Sequence, residues 1–305
     1  MQAGAKRSRP APSNPLLQIR FTALSRALVG ARAGDVTAIH QARVATRRLR
    51  EVLPLLESAS SARKLARTVR QLTRALGPVR ELDVTLQTLG ELETAGDVSQ
   101  PASAWLRRLL EAERRVRHAD AAKVIDHSDL GRVREKALAT GTPIPAGSLA
   151  LARASAQHRA AARAGRLQAA IEAAAGMYLP DRLHAVRIAV KKLRYAIEVA
   201  RQVRPHRRVS TAPPRSVRSV AGQLAALKRA QELLGRMHDL EVLIAKIREV
   251  QGSPQAPSLR VSGDLDRLAR KVEMECRVLH GHYMASRARL LQVCDRVEAH
   301  APRDA

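Results

Sequence analysis

The sequence contains very few aromatic residues: one Trp, three Tyr and one Phe among 305 residues. Proteins that bind single-stranded nucleic acid usually stack the bases on aromatic side chains. The chain therefore offers many groups that bind phosphate but almost none that read bases. This composition disfavours sequence-specific recognition of RNA or single-stranded DNA.

Only two cysteines, Cys276 and Cys294, are present. If both lie on one helix they are far beyond disulfide reach. They also lack the neighbouring His and Cys residues that a structural zinc site requires. We predict two buried thiols and neither a disulfide nor a metal site.

The sequence also lacks any apolar run that approaches the roughly 18 residues of a membrane-spanning helix. The stretch Met1–Pro15 is basic and rich in Pro and Ser, but it has no apolar core of the kind found in secretory signals. We therefore expect a cytoplasmic protein that binds no membrane.

Acidic residues are outnumbered by basic ones, 28 against 54, which gives a formal net charge of +26. Such a charge implies a polyanionic partner and binding that weakens strongly with salt. Nucleic acid, an anionic membrane surface and inorganic polyphosphate are the polyanions to consider, and of these we expect no membrane partner. Some of the charge is also expected to be a solvated surface that binds nothing.

One helical pattern occurs twice, and neither copy contains Gly or Pro. The cationic positions of the two copies, in the same order, are His40, Arg43, Arg47, Arg48 and Arg50, and His184, Arg187, Lys191, Lys192 and Arg194. On a helix most of them form a narrow row, with apolar residues opposite. Because like charges along a row weaken a helix, a polyanionic ligand is the natural explanation.

A second cationic row is predicted on the helix after the first copy. Its arginines recur at helical spacing on one face, and they are Arg63, Arg67, Arg70 and Arg74. The guanidinium group suits bidentate phosphate contacts better than an ammonium group does. We also include Lys228 and Arg229 among the candidate binding residues. Both precede the Leu-Gly segment at Gly235, which is described in the next paragraph.

A Leu-Gly segment is also repeated, at Gly77-Pro78 and at Gly235. We predict that the helix breaks at both places and that a new helix follows each break. Arg80 and His238, just after the breaks, are candidates for contact with the anion. The carboxylates beside them either orient basic side chains or, as we favour, are first-turn charges stabilised by the helix dipole.

No stretch alternates like a β-strand, so an all-α fold is predicted. We divide the chain into a disordered basic tail (1–14), a first helical half (15–126), a linker (127–147) and a second helical half (148–300). The predicted helices of the second half cover 148–175, Asp181–Arg201, 216–234, 237–251 and 264–299. The internal repeat predicts two related four-helix bundles with an approximate two-fold axis, which together form one domain.

The doubled His-x-x-Arg-(x)₃-[Arg/Lys]-[Arg/Lys]-x-Arg pattern and the doubled Leu-Gly segment resemble the CHAD family, the conserved histidine α-helical domain. The resemblance covers roughly residues 15–300. It implies a pair of four-helix bundles whose basic residues face a central groove. It also implies binding of inorganic polyphosphate and association with polyphosphate granules. No strand-rich acidic segment is present, so we expect a stand-alone member.

Carried over by position, the resemblance assigns binding to both histidine-led rows and to Arg80, although Glu81 stands where the family usually has Asp. The second segment departs further, with His238 and Asp239. A polyanion next to His40 and His184 would favour their charged form, so binding should tighten as the pH falls from 8 to 6. Alternatively, each histidine is a packed, neutral residue.

Three other functions stay open. Phosphate-transfer catalysis requires a metal held by clustered carboxylates, a P-loop or an activated nucleophile. None of these is evident, so we expect no enzyme activity, no catalytic residue and no cofactor, with a phosphohydrolase or regulator of polyphosphate metabolism as a minor alternative. Charge alone permits weak, non-specific nucleic-acid binding. An adaptor that docks other granule proteins is the third alternative.

Overall fold

The structure, a computed structural model, describes residues 15–53, 60–132, 135, 146–202, 219–254 and 256–300. All regular secondary structure in these ranges is helical, which confirms the all-α prediction. The helices are α1 (Pro15–Arg32), α2 (Val36–Val52), α3 (Ser60–Thr94), α4 (Gln100–Asp126), α5 (Ala146–Ala174), α6 (Pro180–Gln202), α7 (Val220–Gln251) and α8 (Leu259–Glu298).

The start of α2 is determined locally. Gly34 has a φ of 88°, a left-handed conformation that stops α1 and that glycine adopts without strain. Asp35 then caps α2, because its carboxylate accepts a hydrogen bond of 2.6 Å from the backbone N–H of Ala38. The first histidine-led pattern therefore forms a capped helix, and the second forms most of α6.

The predicted helix breaks at the two Leu-Gly segments are wrong. Helix α3 runs without interruption through Gly77 and Pro78, and α7 runs through Gly235. Pro78 removes one backbone N–H from the helical ladder. On α3 the flanking residues Leu76 and Val79 are fully buried, so packing of one apolar face maintains the helix across the weak point.

The chain divides into two compact units whose boundaries fall inside α3, α4 and α5. The first unit comprises the residues up to Arg80 together with Arg117–Leu151. In it α1 packs against α2 through fully buried side chains such as Phe21, Leu24 and Ile39. The same faces leave the histidine-led row of α2 on the opposite side of the helix.

The second unit comprises Glu81–Val116 and the residues from Ala152 onward. It contains two apolar clusters. One includes Leu82, Leu106, Leu243 and Leu268, and the other joins α5, α6, α7 and α8 around Leu167, Val190, Leu227 and Tyr283. Helix α7 packs against both α6 and α8 and therefore supports the second histidine-led row.

The tail 1–14 and the interior of the linker 127–147 lie outside the described residues. The two-fold symmetry of the repeat and the division into halves stay predictions. Within the described ranges, no helix is both long enough and apolar enough to cross a membrane. Cys276 and Cys294 are free, buried thiols on α8, as predicted.

Candidate anion-binding sites

In the first unit, cations from two helices gather around His40. The ring of His40 is exposed on α2. Its pKa is lowered from the usual value, first by partial burial and then by the positive charges of Arg80, Arg47 and Arg43. Arg80 comes from α3, so the fold adds to Arg43 and Arg47 a third guanidinium group that the sequence assigned to another motif. We call His40, Arg43, Arg47 and Arg80 the first cationic cluster.

Arg43 is held in place by the backbone of α3. Its Nη1 donates a hydrogen bond of 3.0 Å to the carbonyl oxygen of Thr73. The guanidinium lies directly over Gly77, because a Cβ built on Gly77 would be 3.1 Å from the same Nη1. Gly77 therefore allows the arginine to approach the helix closely, a role unrelated to the predicted turn.

The arginine row of α3 is solvent-exposed, as its spacing predicts. Its members are Arg63, Arg67, Arg70 and Arg74. The side chains on the opposite face are fully buried, and they are Leu65, Val69, Leu72 and Leu76. On α2, Arg50 is exposed, whereas the Nε of the half-buried Arg48 is enclosed and has no hydrogen-bond partner among the described residues.

In the second unit, two histidines touch each other. The Nδ1 atoms of His184 on α6 and His238 on α7 are 3.2 Å apart, within hydrogen-bond distance. The ring centroids are 4.5 Å apart and the ring planes are inclined by 49°. These two residues are 54 positions apart, and no periodicity in the sequence predicted their contact.

Both members of this histidine pair favour the neutral form. Burial lowers the pKa of His238 to about 3, with further lowering by Arg187, His184 and Lys191. Burial also lowers the pKa of His184, as do Arg187 and Lys191, while Asp181 and Glu81 act in the opposite direction. We call His184, Arg187, Lys191 and His238 the second cationic cluster.

Carboxylates accompany the second cluster. The Nη2 of Arg187 lies 3.8 Å from Oδ1 of Asp239, and Arg194 lies 3.8 Å from Glu198. Arg194 also stands over the ring of Tyr195 at 5.0 Å. Lys192 is exposed, while the exposed Lys228 is 3.6 Å from Glu232 on the same helix, and its neighbour Arg229 is exposed as well.

The favoured interpretation of the acids as first-turn charges is wrong, because no helix begins there. Asp83 lies inside α3 with a fully buried side chain, and its Oδ1 accepts a bond of 2.6 Å from Nε of Arg114 on α4. Glu241, at the matching place in α7, accepts a hydrogen bond of 2.8 Å from the hydroxyl of Tyr178. Burial raises the pKa of both Glu241 and Tyr178.

Some of the basic residues of α4 form ion pairs, and others are exposed. Arg107 lies 2.5 Å from Glu93, whereas Arg108 and Arg115 are exposed. In the ranges that the structure covers, no group of three or more His, Cys, Asp or Glu side chains is placed to hold a metal ion.

Comparison with known proteins agrees with the repeated pattern. The family described as CHAD domain matches residues 16–248. A crystal structure of the CHAD domain from the plant Ricinus communis has a TM-score of 0.53 and 20% identity, over 94% of this chain and 91% of that one. PptA from Streptomyces chartreusis has a TM-score of 0.61 and 19% identity, over 89% and 96%. At this identity the two structures support the fold alone. No curated protein matches the chain.

Proposed function

We propose, from the premise that the chain belongs to the CHAD domain family, that it binds inorganic polyphosphate through its two cationic clusters. We add to the proposed binding residues the arginine row of α3 and the flanking cations of α2, α6 and α7. These flanking cations are Arg48, Arg50, Lys192, Arg194, Lys228 and Arg229. We further propose that the protein is cytoplasmic and associates with polyphosphate granules.

The composition of the first cluster is the observation that carries this proposal. Every charged group that shifts the pKa of His40 is an arginine, and Nη1 of Arg43 donates a hydrogen bond to the Thr73 carbonyl. Concentrating positive charge in this way is unfavourable unless an anion neutralises it. The arrangement therefore favours a ligand with several closely spaced negative charges.

Polyphosphate matches this chemistry better than nucleic acid does. It is a thin, flexible chain of anionic oxygens without bases, and the described clusters contain donors to oxygen but no stacking platform. Displacing its counterions supplies much of the affinity, and arginine forks add bidentate hydrogen bonds. Duplex DNA should bind only weakly and without sequence preference.

We propose binding without catalysis. Three acids near the clusters already have partners: Asp239 lies beside Arg187, Asp83 accepts from Arg114, and Glu241 accepts from Tyr178. The charged groups that act on His40 are all arginines, whereas Asp181 and Glu81 act on His184 together with the cations of the second cluster. Cations hold phosphate oxygens but do not by themselves activate water. Incubation with long polyphosphate and Mg²⁺ should therefore leave the chain length unchanged.

The decisive experiment reverses two cations in each cluster. A variant carrying Arg43→Glu, Arg47→Glu, Arg187→Glu and Lys191→Glu should lose at least about a hundredfold in polyphosphate affinity, because four phosphate contacts become repulsive. Binding is measured by titration at fixed ionic strength, and circular dichroism checks that the helices persist.

A matched control tests whether charge alone explains the result. It reverses the same number of exposed cations elsewhere, at Arg108, Arg115, Arg270 and Arg277. Arg107 and Arg114 are unsuitable, because each is paired with an acid. Equal losses in the two variants would refute localised sites, and displacement of polyphosphate by an equal phosphate concentration of duplex DNA would refute the ligand.

A further inference from the structure

The contact between His184 and His238 restricts where their protons lie. A hydrogen bond between the two Nδ1 atoms, which are 3.2 Å apart, needs a proton on one of them and a lone pair on the other. A neutral imidazole carries a single ring proton. The ring that donates through Nδ1 therefore has a bare Nε2, and the ring that accepts at Nδ1 has its proton on Nε2.

The neutral pair thus presents two different outward atoms, one N–H donor and one bare nitrogen acceptor. Within the part of the chain that the structure describes, neither Nε2 has a protein hydrogen-bond partner or is sealed from solvent. Both rings are half-buried. The pair is therefore able to accept one hydrogen bond from a ligand and to donate another to it.

Two kinds of phosphate group occur in a polyphosphate chain. Internal groups, like nucleic-acid phosphodiesters, carry no P–OH near neutral pH. Terminal groups have a second ionisation with a pKa of about 6, as phosphate monoesters do, and so present both P–O⁻ and P–OH. Only a terminal group matches a surface that offers one donor and one acceptor.

We propose that the His184–His238 pair is a chain-end subsite, which binds the terminal phosphate group of polyphosphate in preference to its internal groups. The P–OH donates to the bare Nε2 and the P–O⁻ accepts from the other Nε2–H, so that one proton is shared and no bond to phosphorus changes. This inference rests on the proposed function and adds a specificity to the second cluster.

The charges around the pair fit an anionic terminal group. Arg187 and Lys191 on α6 act on both rings and supply the positive charge. Asp181 on α6 and Glu81 on α3 act on His184 in the opposite sense, and Asp239 on α7 lies beside Arg187. Because burial and the two cations lower the pKa of both rings, the proton is brought by the ligand or is taken up when a fully ionised end binds.

The test compares tripolyphosphate with its dimethyl ester, in which each terminal group carries a methoxy group and has no P–OH. At pH 6.5 we expect the protein to bind free tripolyphosphate about tenfold more tightly, because the ester lacks the P–OH hydrogen bond and the additional negative charge of the fully ionised end. The variants His238→Asn and His184→Asn should each reduce this preference to about twofold, the remainder being due to charge.

The control variant His40→Asn alters the first cluster. It should weaken the binding of both ligands while leaving the ratio of the two affinities at about tenfold. Thermal melting shows whether each variant is folded. For the intact protein, ¹⁵N NMR of the imidazole nitrogens should show one protonated and one bare Nε2 in the free state, and a shift of the bare Nε2 signal towards that of a hydrogen-bonded nitrogen when the free-ended ligand is bound.

The outcomes separate the two proposals. Equal affinity of the intact protein for the two ligands, or an unchanged ratio in His238→Asn, would overturn the chain-end subsite while leaving polyphosphate binding intact. Unchanged Nε2 signals on binding would also overturn it. Failure of the intact protein to bind tripolyphosphate and long polyphosphate alike would instead refute the proposed function.

Discussion

The two copies of the histidine-led pattern have the same spacing but different surroundings. The first combines an exposed His40 with three arginines, one of them contributed by α3. The second combines His184 with a half-buried histidine, His238, at the place where the first has Arg80. At this position of the repeat, an arginine beside the first histidine is thus replaced by a second imidazole ring in contact with His184.

The carboxylates of the two Leu-Gly segments also differ in their partners. The acid of the first Leu-Gly segment, Asp83, is engaged by a guanidinium, whereas that of the second, Glu241, is engaged by a neutral hydroxyl. Asp239 lies beside Arg187, but no acid contributes to the shift at His40. A repeated sequence therefore specifies the same helices without specifying the same electrostatics, and substitutions at matched positions should separate the two copies.

The largest contrast is expected in stability, at Asp83 and Glu241. Asp83→Ala removes the carboxylate from Arg114, whose side chain is only 19% exposed, and should lower the free energy of unfolding by about 3–5 kcal/mol. Glu241→Gln keeps an acceptor for Tyr178 and should cost less than about 1 kcal/mol. Urea denaturation measures both values.

Replacing both members of the first pair provides the control. Asp83→Leu combined with Arg114→Met removes the buried charge together with its partner, so most of the stability should return. A loss below about 1 kcal/mol for Asp83→Ala alone would show that the Arg114 guanidinium reaches solvent once its partner is gone.

In binding, Arg47 and Lys191 are the matched pair. We expect Arg47→Ala to weaken polyphosphate binding about tenfold and Lys191→Ala about threefold, because arginine contributes a bidentate contact and acids temper the second cluster. Each should reduce the slope of log affinity against log salt by about 0.7, the value for one contact with a single strand. Titrations at several salt concentrations provide both numbers, and identical losses would mean that the two clusters are equivalent.

The histidines should differ in their pH dependence. In the free protein the pKa of each is below its usual value, and a bound polyanion raises it. Affinity should therefore be constant above the pKa of the complex and should rise as the pH falls through it from 8 towards 6. Because the pKa of His238 starts at about 3, His40 and His184 should account for most of the rise with long chains.

Affinities of the intact protein and of His40→Asn, measured at pH 6, 7 and 8, test this. The intact protein should bind several-fold more tightly at pH 6 than at pH 8, and His40→Asn should retain only the part of this rise that is due to His184. A flat profile for the intact protein would remove the histidines from the binding sites.

Local signals in the sequence were sufficient for much of the fold. The positive φ of Gly34 and the cap at Asp35 fix the start of α2, and the spacing of apolar residues placed α6 and the exposed arginine row of α3. These features depend on neighbouring residues only, so a single sequence reveals them. Polyphosphate as the ligand stays a proposal.

Long-range contacts were not predictable in this way. The sequence places His184 and His238 in different motifs, and only the packing of α6 against α7 brings their Nδ1 atoms together. The predicted breaks at Gly77-Pro78 and Gly235 failed because local propensity was overridden by buried side chains on the same helix. Asp83 was misinterpreted for the same reason, since its partner Arg114 lies on another helix.

The smallest contrast, at the two helix-interior glycines, tests this last point. Neither Gly77 nor Gly235 has a positive φ. A Cβ at Gly235 would meet nothing within 4 Å, so Gly235→Ala should raise the free energy of unfolding by about 0.5–1 kcal/mol through helix propensity.

Gly77→Ala should gain none of this stability. The new Cβ would lie 3.1 Å from Nη1 of Arg43, and alanine before Pro78 disfavours the helical conformation. The displaced guanidinium loses its bond to Thr73, so polyphosphate affinity should fall about two- to threefold, whereas Gly235→Ala should leave it unchanged. Thermal melting and titration of both variants decide the matter: equal stabilisation by the two alanines would show that Gly77 has no role in seating Arg43.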